Sequence, residues 1–420
     1  MTLVATRAAG LARLADFVPR AGRAYAAERN LDRGPADRTN VSTLSPWVRH
    51  RLVTEADVAE AVLQRHSLDA ASKFVQEVYW RTYWKGWLEL RPSVWARYAA
   101  AVGPALVGLS AAQRVSYDAA VTGRTGIDGF DEWARELVDT GYLHNHARMW
   151  FASIWIFTLC LPWQLGADFF MRRLLDGDPA SNTLSWRWVG GLQTVGKTYL
   201  ATTQNIAFAT GGRFHPHGLA THAIAIDDDA PPPTPLAAPR PEPLPAGRVA
   251  LMLHEDDLHA ESLAPALEAA GAQVAAVAAP SAGEPRSPLS ATDFTTASAP
   301  EPSSPLVVAF TAGALADGLD RAGTHFSTGT TTLDALTASA VLPWMRAHSV
   351  TALVTPYAPV GAVRDRLDRL AIDLAAEGVT LTRVLRSWDA QAWPHATRGF
   401  FPFREKIPAL LRDQQTRVNG

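Results

Sequence analysis

The sequence predicts an α plus α/β multidomain protein: an all-α part over residues 1–225, a linker over 226–247, and a Rossmann-like parallel α/β part over 248–420. Three observations carry this. The 420 residues are about two to three times a typical single domain. Residues 226–247 read IDDDAPPPTPLAAPRPEPLPAG. So many prolines exclude a helix or a central strand and suit an extended, semi-rigid spacer; a long surface loop inside one domain is the alternative. Hydrophobic periodicity also changes across this break.

Before the break, apolar residues fall at i, i+3, i+4 spacing over Asp57–His66, Leu68–Leu90, Gly129–Asp139 and Asn145–Cys160. Thr54-Glu-Ala-Asp57 reads as a helix start and Arg91-Pro92 as a stop. After the break, short apolar runs suggest strands at Val249–Leu253, Gln273–Ala278, Leu306–Phe310, Thr351–Thr355 and Val379–Val384. Helical stretches at Glu261–Ala270 and Gly361–Gly378 alternate with them, the pattern of a parallel sheet covered on both faces. The Ser/Thr/Pro-rich stretch Ala279–Ser304 reads as a loop. No repeat at solenoid spacing is present.

The composition, 47% hydrophobic and 19% charged, is that of a globular chain. A net charge of −2 argues against a uniformly basic nucleic-acid coat. Residues 1–220, however, hold 24 Lys and Arg against 19 Asp and Glu, while the remainder holds 15 against 22. A basic half joined to an acidic half suits one part that meets an anion and another that does not, and so permits DNA binding without establishing it. The single cysteine, Cys160, excludes a disulfide framework and is expected in the core. No apolar run reaches the roughly 18–20 residues that span a bilayer, and the Arg-rich start lacks a signal-peptide core. The expectation is a cytoplasmic, monomeric protein without a membrane partner.

Eleven of the 14 tryptophans lie in the first 220 residues. Most, including Trp87, Trp95 and Trp155, read as packing. One segment needs another account: Asp176–Trp188 (DGDPASNTLSWRW) sets two carboxylates about a glycine, then an amide, then two tryptophans one residue apart. Upstream, Thr140–Met149 (TGYLHNHARM) places His144 and Arg148 on one helical face. Arg148 can partner Asp176, since buried charges must be paired. An ion pair of purely structural purpose would account for those two residues, not for the whole set.

These segments resemble the photolyase/cryptochrome family, and the resemblance covers roughly residues 10–215. Tyr25–Asn30, Val41–Pro46, Gln76–Arg81 and Gly123–Gly126 match in the same order. The resemblance implies an all-helical domain holding FAD bent into a U. Tyr25 and the loop Val41, Ser42, Thr43, Leu44, Ser45 would hold the phosphates and ribityl chain, with Arg81 adding charge-assisted bonds. Asp176, Gly177 and Asp178 would line the flavin and adenine side, with Arg148 on Asp176 and Asn182 opposite flavin N5, where an amide can donate or accept. Trp186 and Trp163 match the first two members of an electron chain. The third falls near Ser110, where no tryptophan stands, so the outer step is lost or passes to Trp133 or Trp150. Glu77, Asn145, Met149, Trp80 and Trp188 match the pocket that binds a flipped-out cyclobutane pyrimidine dimer. His146 replaces an arginine common in dimer photolyases, and His146 and Arg187 are the candidate DNA contacts.

The C-terminal part resembles, more weakly, the family's α/β antenna domain, through Asp256–His259, Thr355–Pro359 and Arg364-Asp365. That domain usually comes first, so the order is swapped here; an unrelated Rossmann-like domain is the alternative. No G-x-G-x-x-G follows Val249–Leu253, which argues against an NAD site. A second, antenna chromophore of unknown identity is possible, and the aromatic tail Trp393–Phe401 is placed to dock on the helical part. The function implied is light-driven repair of cyclobutane pyrimidine dimers in UV-damaged DNA, with reduced, excited FAD donating the electron. A cryptochrome-like photoreceptor signalling through a partner is the alternative, and a flavin-binding helical protein without light function is a third.

Overall fold

The computed structural model describes residues 3–227, 234–289 and 303–418. Part of the proline-rich linker (228–233) and half of the expected loop of 279–304 (290–302) lie outside the described residues.

Twelve α-helices come first: α1 Arg7–Phe17, α2 Arg23–Glu28, α3 Ser45–Arg49, α4 Glu55–Leu63, α5 Ser72–Glu89, α6 Ser93–Val107, α7 Ala111–Val121, α8 Phe130–Thr140, α9 Asn145–Ser153, α10 Trp163–Arg173, α11 Pro179–Val189 and α12 Thr203–Ala209. Their boundaries follow local chemistry. Thr54 and Asp57 exchange side chain-to-backbone bonds in a capping box (3.1 and 2.8 Å) that starts α4. Asp178 starts α11 by accepting from the Ser181 N–H at 2.8 Å, with Pro179 in the first turn. After α9 the chain widens into a π-type turn, Ile154–Thr158, closed by the Leu159 N–H on the Ile154 carbonyl at 2.9 Å. It then reverses at Cys160 with φ 51, and the thiol lies exposed rather than in the expected core. The apolar run ends one residue earlier, and the reversal turns Cys160 outward.

Five strands follow: β1 Gly247–Met252, β2 Ala272–Pro280, β3 Thr330–Leu333, β4 Ala352–Pro356 and β5 Thr380–Val384. They form one parallel sheet in the order β3-β2-β1-β4-β5. The crossovers are α13 Ala264–Ala269, α14 Pro305–Phe326, α15 Ala338–Ala347 and α16 Ala362–Ala376, and the chain ends on α17 Ser387–Ala392, α18 Phe400–Arg404 and α19 Ile407–Val418. This is a doubly wound α/β arrangement whose strand order reverses between β1 and β4. The expected strand Leu306–Phe310 is instead the start of α14, capped by Ser304 with Pro305 in the first turn. A short apolar run does not by itself separate strand from buried helix, and here the cap decides. The third strand is Thr330–Leu333, an edge strand of three threonines and a leucine.

The two parts share a core. One apolar cluster runs from Leu14 and Trp47 through Trp155 and Leu184 to Leu251, Phe310 and Phe403; a second fills the other face of the sheet beneath α15 and α16. In an open parallel sheet, the crevice beyond the carboxyl ends at the reversal point is the usual ligand position. Here residues 49–51 of the helical part fill it. Arg49 pairs with Asp256 at 2.6 Å, Arg51 pairs with Asp257 at 3.0 Å and Asp389 at 2.5 Å, and His50 Nδ1 lies 2.6 Å from the Glu255 carbonyl. Arg286 joins Glu255 (2.9 Å) and reaches His50 Nε2 (3.2 Å), and the cavity left beside it measures about 20 Å³. Arg49 and Arg51 are each 2% exposed, so these charges depend on one another for solvation.

Candidate functional site

The large cavity lies inside the helical part and has a volume of about 570 Å³. Helix α5 supplies Glu77, Trp80, Arg81 and Trp84, at the i, i+3, i+4, i+7 spacing of one face. Helix α9 supplies Asn145, Arg148 and Met149; α11 supplies Ser181, Asn182, Ser185, Trp186 and Trp188. Tyr25 and the loop Val41, Ser42, Thr43, Leu44, Ser45 close one side, and Asp176, Gly177 and Asp178 lie opposite the arginines. Twenty-one residues were read from the sequence as site residues, and all but Trp163, His146 and Arg187 line this one cavity.

The loop of 41–45 is held from behind. Arg13 donates from Nε to the Ser42 carbonyl (2.8 Å) and Thr43 Oγ1 (3.0 Å), and from Nη2 to the Val41 carbonyl (3.0 Å). Thr43 sits at φ 53, an uncommon conformation for a β-branched residue that persists only where surroundings impose it. Arg13 thus fixes the loop's backbone from the side away from the cavity that these five residues line.

The acidic side is charge-compensated. Asp176 pairs with Arg148 Nη2 at 2.9 Å; burial works against its ionised form, yet Arg148 holds its pKa below the ordinary carboxylate value. Asp178 lies 3.6 Å from Arg81 and 3.7 Å from Lys85, and despite burial these cations with Arg49 depress its pKa strongly. Arg49 Nε also donates to the Gly177 carbonyl at 2.6 Å, which ties the cavity wall to the charges at the sheet crevice. Asn182 Nδ2 donates to the Ala167 carbonyl at 2.8 Å, fixing the amide and leaving its oxygen for the cavity. Asp176 Oδ1 and Arg81 Nη1 have no protein hydrogen-bond partner although both are buried. Unsatisfied buried polar atoms around so large a cavity fit a polar ligand that completes them, and a dinucleotide such as FAD meets that requirement.

The substrate-side residues meet in the same wall. Glu77 forms an ion pair with Arg29; burial nevertheless raises the Glu77 pKa above the ordinary value. Trp188 stacks on Tyr199 (5.6 Å between centroids), and Trp80 stacks face to face on Phe400 of α18 (3.6 Å, 12°). His146 lies half-buried beside Trp150 rather than in the cavity wall, and burial with nearby Arg29 lowers its pKa, so it is largely neutral near pH 7. Arg187 needs correction as a DNA contact: it is 7% exposed and lies over the Trp163 ring, where a phosphate backbone does not reach.

The ring of Trp186 lies over Gly166, where an added Cβ would sit 2.2 Å from the indole. Its ring neighbours are Phe151, Trp155 and Phe170; Trp163 stands three residues before Gly166 on α10. Trp163 stacks on Tyr98 (5.5 Å, 27°), Tyr98 packs on Trp95 at 5.5 Å, and the Trp95 N–H bonds Asp365 at 3.0 Å. Trp133 and Trp150, expected as substitutes for the outer relay, stack on each other and make ring contacts with Phe214 and His146 instead of with Trp163. Tyr98 and Trp95 hold the place adjoining Trp163.

Sequence reasoning missed Arg29, Tyr142, Lys85 and Phe401. Arg29 stood inside the matched block Tyr25–Asn30, and Lys85 lies four residues after Arg81, so helical spacing alone could have found both. Tyr142 lies between two guanidinium groups, those of Arg38 (4.5 Å) and Arg148 (5.6 Å), a contact that depends on tertiary packing.

Residues 74–218 match the family described as the FAD binding domain of DNA photolyase. A deoxyribodipyrimidine photo-lyase of Thermus thermophilus is 32% identical over 217 residues, which is 50% of this chain and 48% of that protein. One from Streptomyces griseus is 31% identical over 157 residues, 36% of this chain and 32% of its own length. A solved class III photolyase from Agrobacterium tumefaciens aligns with a TM-score of 0.42 at 26% identity, covering 49% of this chain and 43% of that one. The chain thus spans less than half the length of the curated relatives it matches. Residues 74–218, which build most of the dinucleotide-sized cavity, are the part of the chain that matches the FAD binding domain of DNA photolyase.

Proposed function

We propose that this protein is a light-driven DNA repair flavoprotein that splits cyclobutane pyrimidine dimers, with residues 1–225 as the FAD domain and 248–420 as an antenna-like α/β domain. The observation that carries this reading is the meeting of Glu77, Trp80, Asn145, Met149 and Trp188 in the wall that also holds Asn182, Arg148, Asp176 and Asp178. The curated relatives named above are deoxyribodipyrimidine photo-lyases, which supports the same substrate.

Bound FAD supplies light-excited electron donation. The chain's own residues do the rest. Arg81 and the loop of 41–45 bind the anionic and hydroxyl groups of the cofactor, and Asn182 presents a fixed amide to its ring system. Trp188 and the part of Trp80 in the cavity wall offer stacking surface to a flipped-out dimer. Asn145 hydrogen-bonds base edges. In its protonated form, which burial favours and Arg29 opposes, Glu77 donates a hydrogen bond to a dimer carbonyl where negative charge develops; the carboxylate would oppose that charge.

The test is blue-light repair of an oligonucleotide with one thymine dimer by fully reduced protein. Restoration of intact thymines is expected, slowed about 100-fold in Glu77→Ala, in the range of losing one charge-stabilising donor. No repair by the reduced wild type rejects the reading. One observation favours the alternative, a blue-light photoreceptor acting through a partner: Phe400 already covers a face of Trp80. Light-dependent partner binding without repair would establish that alternative.

A further inference from the structure

Within the cavity wall, Phe401 is the one described residue from beyond Val189. It comes from the α/β half and stands on the turn of α18 that lays Phe400 on Trp80. It is 68% exposed, and its ring contact is with the guanidinium of Arg404 (5.3 Å). What sets Phe401 apart from other exposed apolar side chains is its place in the wall of a cavity that also holds Trp80, Trp84 and Trp188.

The platform beneath it is rigid. Trp393 packs against Gly86 of α5, where an added Cβ would lie 2.6 Å from the indole and 2.9 Å from its Cα. Arg91 Nη2 donates to the Thr397 carbonyl (2.6 Å), and Tyr83 donates to the Arg398 carbonyl (2.8 Å). Trp388 donates to Thr82 at 2.9 Å. Phe401 is therefore held at the rim by bonds that spare its own side chain.

Its neighbours along the chain include three cations, with one exposed carboxylate, Glu405, between two of them. Arg398 and Lys406 are exposed, Arg404 is half-buried, and among the described residues none of the three forms an ion pair. Unpaired cations around an exposed aromatic match the chemistry of a nucleic-acid strand, with phosphates for the cations and a base face for the ring.

We propose that Phe401, flanked by Arg398, Arg404 and Lys406, is a DNA-contacting rim by which the α/β half grips the damaged strand. The phenyl ring stacks on a base beside the lesion, and the cations pair with flanking phosphates. This deepens the repair reading and rests on it.

The experiment is dark equilibrium binding of holoprotein to a fluorescein-labelled duplex with one cyclobutane thymine dimer, and to its undamaged twin, over a range of salt concentrations. In Phe401→Ala, affinity for the damaged duplex should fall about tenfold, the size of one lost base–aromatic stack, with little change for the undamaged one. Phe401→Trp should restore it. The double variant Arg398→Ala with Lys406→Ala should weaken both duplexes alike and lower the salt slope by about two. Flavin absorbance and thermal stability should not change in any variant, since all these side chains lie at the surface. Wild-type discrimination with Phe401→Ala within twofold of wild type overturns this proposal alone. A wild type that binds neither duplex overturns the repair reading and this proposal together.

Discussion

Glu77 is set between two opposing influences, burial that favours its neutral acid and the Arg29 guanidinium that favours its anion, and burial wins. The sign of the resulting pH dependence follows. A raised pKa keeps the proton on Glu77 at pH values where an ordinary carboxylate has lost it, so hydrogen-bond donation to the substrate persists and then fails as pH rises through that raised value. Repair by the wild type should decline on that alkaline side. Glu77→Gln keeps a donor at every pH, so its rate should lie within about tenfold of the wild-type plateau and the decline attributable to this group should vanish. A Gln variant that retains the same fall would remove Glu77 from the role. At this scale most of the site was legible. Arg148, Asp176, Asp178 and Asn182 sit in two short segments whose residue types suggest a chemistry, whereas Glu77 and the role of Asn145 were reached only through the family resemblance. Tyr142 was not, because its position between two guanidiniums is created by packing of distant segments. Arg187 misled, because a cation beside two tryptophans gives no sign of which helix face it will occupy.

Helix α10 passes beneath Trp186 only because residue 166 has no side chain. Gly166→Ala gains helix propensity, yet its methyl would stand 2.2 Å from Trp186 and 3.0 Å from Trp155. The indoles must shift, at a cost of about 1–3 kcal/mol for overpacking. Photoreduction of oxidised flavin should slow at least severalfold in this variant, with flavin still bound; an unchanged rate would mean that charge leaves without Trp186. Element by element, amphipathic spacing and caps made the helical half readable, as the Thr54–Asp57 box shows. The α/β half was harder. Leu306–Phe310 is apolar enough for a buried strand, and the cap at Ser304 with Pro305 turns it into a helix. Thr330–Leu333 was passed over because an edge strand needs little apolar residue and this one has a single leucine.

The whole molecule is bound together by charges that neither half could bury alone. Arg51 alone reaches Glu55 in its own half and Asp257 and Asp389 in the other. Asp257 keeps Arg386 at 2.6 Å, but Arg51→Ala takes the ion-pair partner from buried Glu55 and Asp389, which should cost about 3–5 kcal/mol in urea denaturation. The wild type should unfold in one transition, because the core is continuous across both halves. Two well-separated transitions in the wild type would refute that coupling. Sequence composition announced two parts and their order, but the clamp was invisible: Arg49, His50 and Arg51 are ordinary residues until a sheet edge is placed over them. Their position has an optical consequence. A pigment settling where α/β sheets ordinarily receive one would have to evict two arginines, an imidazole and the acids that neutralise them. On the proposed reading, any second dye would lodge on some other face of the molecule, since the charges that grip the two halves together occupy this end of the sheet.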